Sequence, residues 1–248
     1  MAVELYQFAI SHYCEKVRWA LEYKNVRYRS IWLMPGLHIK TVRQFAPRSS
    51  VPVLVENNLA IQGSREILDW LEQQHPIPAL GSDQTAIAEQ ISDWETRLDD
   101  ELGPAIRLYA YHYMLPHPKL TVPLLGAHQG LVKRWMLKLG YSRVEEQMRQ
   151  WMKINDNTAR RAETAINDCL NDLASVYRNQ EFLVGDQFSR ADLTAAALVA
   201  PMFQPKQYPV KWAPLSAMPA PLQQLRENHS ELIGKLEQFY QRYRSPND

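Results

Sequence analysis

Ser11-His12-Tyr13-Cys14-Glu15-Lys16-Val17-Arg18-Trp19-Ala20-Leu21 decides the fold of this chain. In front of it, Val3-Glu4-Leu5-Tyr6-Gln7-Phe8 alternates and is rich in strand formers, which predicts a β-strand. Behind it, Cys14, Val17 and Leu21 recur at helical spacing, so a strand passes into a helix at Ser11. A helix start presents unpaired backbone N–H groups and the positive end of a dipole. Such a place can hold an anion, a thiolate included.

Working outward, Arg27 to Leu33 has the β-branched and aromatic content of a second strand, closed by Pro35-Gly36. A short helix is expected over roughly Ile39 to Phe45. Val51 to Ile61 reads as two short strands around Asn57-Asn58, residues that tolerate the positive φ of a tight hairpin. Gly63-Ser64 opens a helix with Ile67, Leu68 and Leu71 on one side and Ser64 as expected N-cap. The predicted order is β-α-β-α-β-β-α over residues 1–75. The stretch 76–82, with two prolines and a glycine, is the expected linker, and 83–248 the expected helical domain.

In that second part, Ile87, Ile91, Trp94 and Leu98 line one helix predicted to reach Met114. Shorter helices follow to about Leu139. Tyr141 to Tyr177 is predicted as one long helix whose buried stripe is Ala162, Ala165, Ile166, Cys169, Leu170 and Leu173. Phe188-Ser189-Arg190-Ala191-Asp192-Leu193 is a capping box with a hydrophobic staple, a structural device contributing about 1 kcal/mol. One or two helices are expected from about Pro221 to Tyr243.

Composition sets bounds. The 248 residues are 46% hydrophobic and 22% charged, a globular profile long enough for two ordinary domains. A net charge of +1 gives no field to draw the whole chain to nucleic acid or anionic lipid. Cys14 and Cys169 cannot build a disulfide framework, which suits a reducing compartment. No apolar run approaches the roughly 20 residues of a membrane span. Met1-Ala2-Val3-Glu4 lacks the basic start and apolar stretch of a signal peptide, so a cytoplasmic protein is expected. The seven histidines include no H-x-x-x-H pair, there is no cysteine cluster, and no metal site is expected.

Four motifs occur in order: Ser11-x-x-Cys14-x-Lys16-Val17-Arg18, Pro47-x-x-x-Val51-Pro52, Ser64-x-x-Ile67 and Gly185-Asp186-x-Phe188-Ser189-x-Ala191-Asp192. Together they resemble the cytosolic glutathione transferase superfamily over essentially the whole chain. The resemblance implies an α/β thioredoxin-like N-terminal domain followed by an all-α C-terminal domain, usually as a homodimer. Glutathione, as co-substrate, is implied on the first domain and a small apolar electrophile in the cleft between the two.

The thiol of glutathione resembles a free cysteine, pKa about 8.5, and each tenfold gain in favour of the anion is worth about 1.4 kcal/mol. Ser11, a hydroxyl donor at a helix N-terminus, matches the serine that theta- and delta-like members use to hold that thiolate; the alternative is a cap and nothing more. Cys14 is the rival nucleophile, since omega- and beta-like members exchange thiols through a cysteine in this loop. Its spacing with Val17 and Leu21 instead places it in the core. Tyr6 is rejected as the first-strand tyrosine of other classes because that site falls on Gln7, on the opposite face.

The resemblance further implies that Val51, before a cis Pro52, pairs with the cysteinyl backbone of the tripeptide like an added strand; an ordinary strand-initial proline is the plain alternative. Ser64 would take the γ-glutamyl carboxylate. Family members carry Glu or Gln just before that serine, whereas this chain has Gly63; Gln62 and Glu66 are the candidates to substitute in binding glutathione, although neither occupies that place. His38 and Lys40 stand where some members grip the glycyl carboxylate. Ala46 and Ser50 depart from a common Asn and Lys. For the electrophile, Arg107, Tyr109, Tyr111, His112 and Tyr113 crowd the end of the first long helix, with Tyr109 and Tyr113 on one face. Lys133-Arg134 to Lys138 reads as a solvated face. Two other readings stand beside conjugation: thiol exchange or deglutathionylation through Cys14, and a non-catalytic binding or interaction module.

Overall fold

A computed structural model describes residues 3–244, so Met1 and Ala2, part of the start read above as leaderless, lie outside the described residues. β1 (Val3–Gln7) pairs parallel with β2 (Tyr28–Trp32) and antiparallel with β3 (Val53–Glu56), and β3 pairs antiparallel with β4 (Leu59–Gln62). The sheet order is β2-β1-β3-β4. The β1–β2 connection is α1 (His12–Tyr23), the crossover that a parallel pair requires. α2 (His38–Val42) and α3 (Ser64–Gln74) complete the thioredoxin-like half in the predicted order. Asn57 and Asn58 both take positive φ, 47° and 71°, which turns the β3–β4 hairpin. Along β1, burial alternates: Leu5 and Gln7 are buried while Tyr6, half-buried, lies 4.6 Å ring to ring from Phe45.

All remaining elements are helical: α4 (Thr85–Arg97), α5 (Gly103–Met114), α6 (Pro118–Leu125), α7 (Leu131–Leu139), α8 (Tyr141–Trp151), α9 (Asp156–Asn179), α10 (Arg190–Phe203), α11 (Ala220–Asn228) and α12 (Ser230–Tyr243). α10 is buried along nearly its whole length and packs on α1, so the main core runs through both halves. Its start is the capping box read from the sequence. Asp192 accepts from the Ser189 N–H at 3.0 Å, and also from the Leu183 N–H at 2.8 Å and the Tyr177 hydroxyl at 3.0 Å.

Three expectations are corrected. The helix predicted from Tyr141 to Tyr177 is two helices, parted at Lys153, whose φ is +53°, and restarted by a second capping box between Asn155 and Thr158. The N-cap of α3 is Gly63, at φ +120°, and Ser64 is the first helical residue. The helix predicted to reach Met114 does so, but through a π-helical turn at Leu98–Leu102. Pro104 has no N–H to give, and the Tyr13 hydroxyl donates to the Asp99 carbonyl at 2.6 Å. Gly103 is needed there: a Cβ would collide with the Tyr13 ring and hydroxyl.

Buried charge ties α1 to the helical half. Lys16, fully buried, holds Glu95 of α4 and Asp99 of the π turn, each at 2.7 Å. Arg190 at the start of α10 holds the same Glu95 at 2.8 Å and Asp69 of α3 at 2.6 Å. Burial would raise the Glu95 carboxyl, but Lys16 and Arg190 more than offset that and hold it low. For Asp99 burial wins, and the carboxyl is raised despite Lys16. At the other end of α1, the Lys24 ammonium donates to the carbonyls of His75 and Pro78 at 2.7 and 2.8 Å, which pins the proline-rich stretch to this helix.

Candidate functional site

Ser11 is the N-cap of α1. Its backbone is extended (φ −73°, ψ 123°), and its oxygen accepts the Cys14 N–H at 3.3 Å. That bond uses a lone pair and leaves the hydroxyl hydrogen to donate. Behind it the helix is held rigidly. Arg18, nearly fully buried, donates to Glu15 at 2.8 Å, to the Gln7 amide oxygen at 2.6 Å and to the Ala9 carbonyl at 3.3 Å, so it braces the β1–α1 loop from beneath. The Tyr208 hydroxyl donates to the Ile10 carbonyl at 2.8 Å from the far end of the chain. The position of Ser11 is therefore set by contacts within residues 7–18 and by the distant Tyr208.

Ser11 opens onto a cavity of about 520 Å³ lined by both halves of the molecule. His12, Phe8 and His38 come from the thioredoxin-like half, and Arg107, Tyr109 and Tyr111 from α5. The remaining wall is mostly apolar, with Met148 and Met152 from α8 and its end and Trp212, Met218 and Leu222 from the C-terminal part. The Arg107 charge is felt at His12, Tyr13 and Tyr111, so it supplies positive potential beside the start of α1. Burial first, and then Arg107, push His12 down to about 3, so its imidazole is neutral, and its Nε2 has no hydrogen-bond partner among the described residues. His38 is also lowered, chiefly by burial, and its Nδ1 accepts the Gly36 N–H at 3.1 Å.

Cys14 lies one turn further on and is wholly buried, as is the apolar face it belongs to. Burial raises its thiol, more than the opposing pull of Arg18 and Ser11 lowers it. A thiol that is both inaccessible and disfavoured as the anion is a poor nucleophile. Cys169 is likewise buried and pushed up to about 11 by burial.

The cavity thus brings together Ser11, His38, Arg107, Tyr109 and Tyr111 of the sequence-derived set, but Val51, Pro52, Gln62, Ser64 and Tyr113 do not line it. Tyr113 stacks edge-on against Tyr109 at 5.0 Å, and the Tyr109 hydroxyl donates to Glu163 at 3.1 Å. The Val51–Pro52 bond is cis, and β3 begins only at Val53. The Gly63 N–H donates to the Pro52 carbonyl at 3.1 Å, which sets the start of α3 beside that proline. Ser64 is buried at this helix start. Gln62 has both amide hydrogens engaged, on the carbonyls of Arg48 and Ser50 at 2.7 and 2.8 Å; it shapes the 48–50 loop instead of facing a ligand. Lys40 is exposed on α2. By spacing, Glu66 stands beside the place before Ser64 but not in it. The Glu66 carboxylate nevertheless folds back into the space a side chain on residue 63 would start from. His12 and the 201–227 wall escape a reading of the sequence; part of that wall is irregular chain between α10 and α11, where no period marks the inward side chains.

Two family models match: "Glutathione S-transferase, N-terminal domain" over residues 5–82 and "Glutathione S-transferase, C-terminal domain" over residues 143–243. The chain belongs to the glutathione transferase superfamily. Among solved structures, a glutathione S-transferase of Methylobacterium radiotolerans in complex with glutathione sulfonate aligns with TM-score 0.67 at 19% identity, covering 100% of this chain and 97% of that one. A beta-etherase of Sphingobium sp. strain SYK-6 aligns with TM-score 0.64 at 16% identity, covering 96% and 99%. At such identities these superfamily members share the fold. The stringent starvation protein A homolog of Pasteurella multocida is 31% identical over 68 residues, 27% of this chain and 32% of that protein. The match therefore spans about a third of that curated relative's length. Among the described residues, no helix is long and apolar enough to cross a membrane, and no group of three or more His, Cys, Asp or Glu side chains gathers to hold a metal.

Proposed function

We propose that this superfamily member is a glutathione transferase, acting in the cytoplasm, that joins the glutathione sulfur to a small apolar electrophile. Residues 1–75 hold the tripeptide, 76–82 link the halves, and 83–248 supply most of the electrophile's site. Glutathione lies with its sulfur at Ser11, its cysteinyl backbone along Val51 and its γ-glutamyl carboxylate at Ser64. The thiol proton leaves to solvent, and the Ser11 hydroxyl donates to the remaining thiolate in a charge-assisted bond. The sulfur then forms a bond to the electrophilic carbon, whose leaving group departs with its electron pair. A homodimer is the family habit and the expected assembly.

The observation that carries this reading is the contrast within one turn of α1. Ser11 faces a cavity with apolar walls, with the charge of Arg107 nearby, whereas Cys14 is wholly buried with its thiol raised. Thiol exchange through Cys14 would require that helix turn to open. The Glu66 carboxylate folds back over Gly63, so an acidic group stands at the start of α3 beside Ser64, which supports binding of the γ-glutamyl amine.

The test has two parts. The chain is passed over immobilised glutathione, where retention is expected and its absence favours a non-catalytic module. Conjugation of an aryl halide is then compared among wild type, Ser11→Ala and Cys14→Ala at neutral pH. Loss of one hydroxyl donor to the thiolate is expected to lower the rate about tenfold to a hundredfold, with Cys14→Ala near wild type. The reverse pattern transfers the chemistry to Cys14.

A further inference from the structure

α7, Leu131–Leu139, is a helix turned inside out. Leu131, Val132, Trp135, Met136 and Leu139 are all exposed, from 55% at Met136 to 81% at Leu131. At 3.6 residues per turn these five fall within an arc of about 140°. Leu137 points the opposite way and is buried, seated with the Arg134 stem on Gly126, where a Cβ would stand 3.4 Å from the leucine and 3.3 Å from the arginine. Lys133 flanks the apolar arc on one side, and Arg134 and Lys138 on the other; all three are exposed. The helix carries no acidic residue.

The surrounding charge has the same sign. Residues 118–153, which make α6, α7 and α8, hold seven of the chain's 28 basic residues but only two of its 27 acidic ones. One of those two, Glu145, is already paired with Arg149 at 2.9 Å. A second tryptophan, Trp151 at the end of α8, is 63% exposed. The near-neutral net charge of the chain thus conceals a basic region on a chain that is otherwise acidic.

We propose that α7 is a docking surface for an anionic phospholipid bilayer. An outward apolar arc carrying a tryptophan, edged by basic residues and anchored by one buried leucine, is the arrangement of a helix lying in a membrane interface. The apolar side chains enter the acyl boundary while Lys133, Arg134 and Lys138 reach the phosphates. A second copy of the same face is disfavoured, since an isologous contact would set these basic edges against each other. The contact is peripheral and independent of the reading of Ser11.

Flotation of the full chain with vesicles tests this directly. Binding is expected to vesicles of phosphatidylglycerol and phosphatidylcholine in equal parts, absent with phosphatidylcholine alone, and weakened by salt. Lys133→Gln, Arg134→Gln and Lys138→Gln combined should weaken partitioning about a hundredfold, at about fivefold for each charge. Trp135→Ser with Met136→Ser should abolish it although every charge is kept. Both variants should retain the wild-type thermal unfolding, because the altered side chains are exposed. Equal binding to the neutral vesicles, no flotation at low salt, or an unchanged partition in either variant overturns the proposal. So does self-association in sedimentation that the Trp135→Ser, Met136→Ser variant removes, which would make a second copy the occupant.

Discussion

Replacing Lys16 by methionine keeps the volume of the side chain and removes only its charge. In the native chain the ammonium sits at 2.7 Å from both Glu95 and Asp99, with no exposure of its own. After Lys16→Met, Glu95 keeps Arg190 at 2.8 Å, but among the described residues Asp99 keeps only Arg65 at 3.6 Å, and its Oδ1 has no partner there to begin with. One buried carboxylate is then left nearly uncompensated, a change that costs about 3–5 kcal/mol. For a chain of this length about 2 °C of melting temperature follows each kcal/mol, so a fall of roughly 6–10 °C is expected. The loss should depend on pH with a definite sign. Asp99 is already raised by burial, and removing Lys16 raises it further, so the folded variant binds a proton more tightly than the unfolded chain. Stability from such a group is present below the unfolded value, about 3.9, and is lost as pH rises through the folded one. Glu95 is held low by Lys16 and Arg190, and part of that stabilisation, present above its unfolded value, is also removed. The Glu95 loss is nearly complete by pH 5 and adds almost equally at both values, so it is Asp99 that makes the deficit larger at pH 7 than at pH 5. Differential scanning calorimetry of wild type and Lys16→Met at the two values is the assay. A fall of less than about 2 °C, or a deficit that is the same at both, would mean that Lys16 does not compensate the buried Asp99 charge.

Two other expectations follow from buried groups. His12 is held at about 3, against about 6.5 when unfolded, so the unfolded chain takes up its proton first and stability falls as pH drops below about 6.5. In urea titrations His12→Gln should flatten that decline, by up to roughly 5 kcal/mol at its limit; parallel curves for variant and wild type would count against a neutral buried imidazole. Asp192→Ala should cost at least about 3 kcal/mol, well beyond the ~1 kcal/mol of an exposed cap, because the Leu183 N–H and the Tyr177 hydroxyl also lose their acceptor. A cost near 1 kcal/mol in chemical denaturation would mean that those two donors find other partners.

What the sequence made legible was local. The β1–α1 passage at Ser11, the Asn57-Asn58 hairpin and the Ser189–Asp192 capping box each lie within a few residues, and each is where the spacing put it. The missed break between α8 and α9 was local too. Asn155 and Thr158 carry a cap signal, but the helical spacing of apolar residues on both sides hid it. Other features depended on partners far along the chain. The π turn answers Pro104 with a hydroxyl from Tyr13, 86 residues before Asp99. Lys16 and Asp99 are 83 residues apart, and neither position suggests the other. The fold-back of Glu66 depends on a positive φ at Gly63 that composition permits but does not dictate. The cavity wall from the 201–227 stretch includes irregular chain, where no period marks which side chains turn inward.

The role of Ser11 is read most plainly from the ionisation of bound glutathione itself, followed by the ultraviolet absorbance of its thiolate as pH is raised. In the wild type, bound glutathione is expected to ionise clearly below the free thiol's value of about 8.5, and Cys14→Ala should leave that midpoint in place. Ser11→Ala should bring the midpoint back toward the free value while the tripeptide stays bound. An unchanged midpoint in saturated Ser11→Ala would contradict the account.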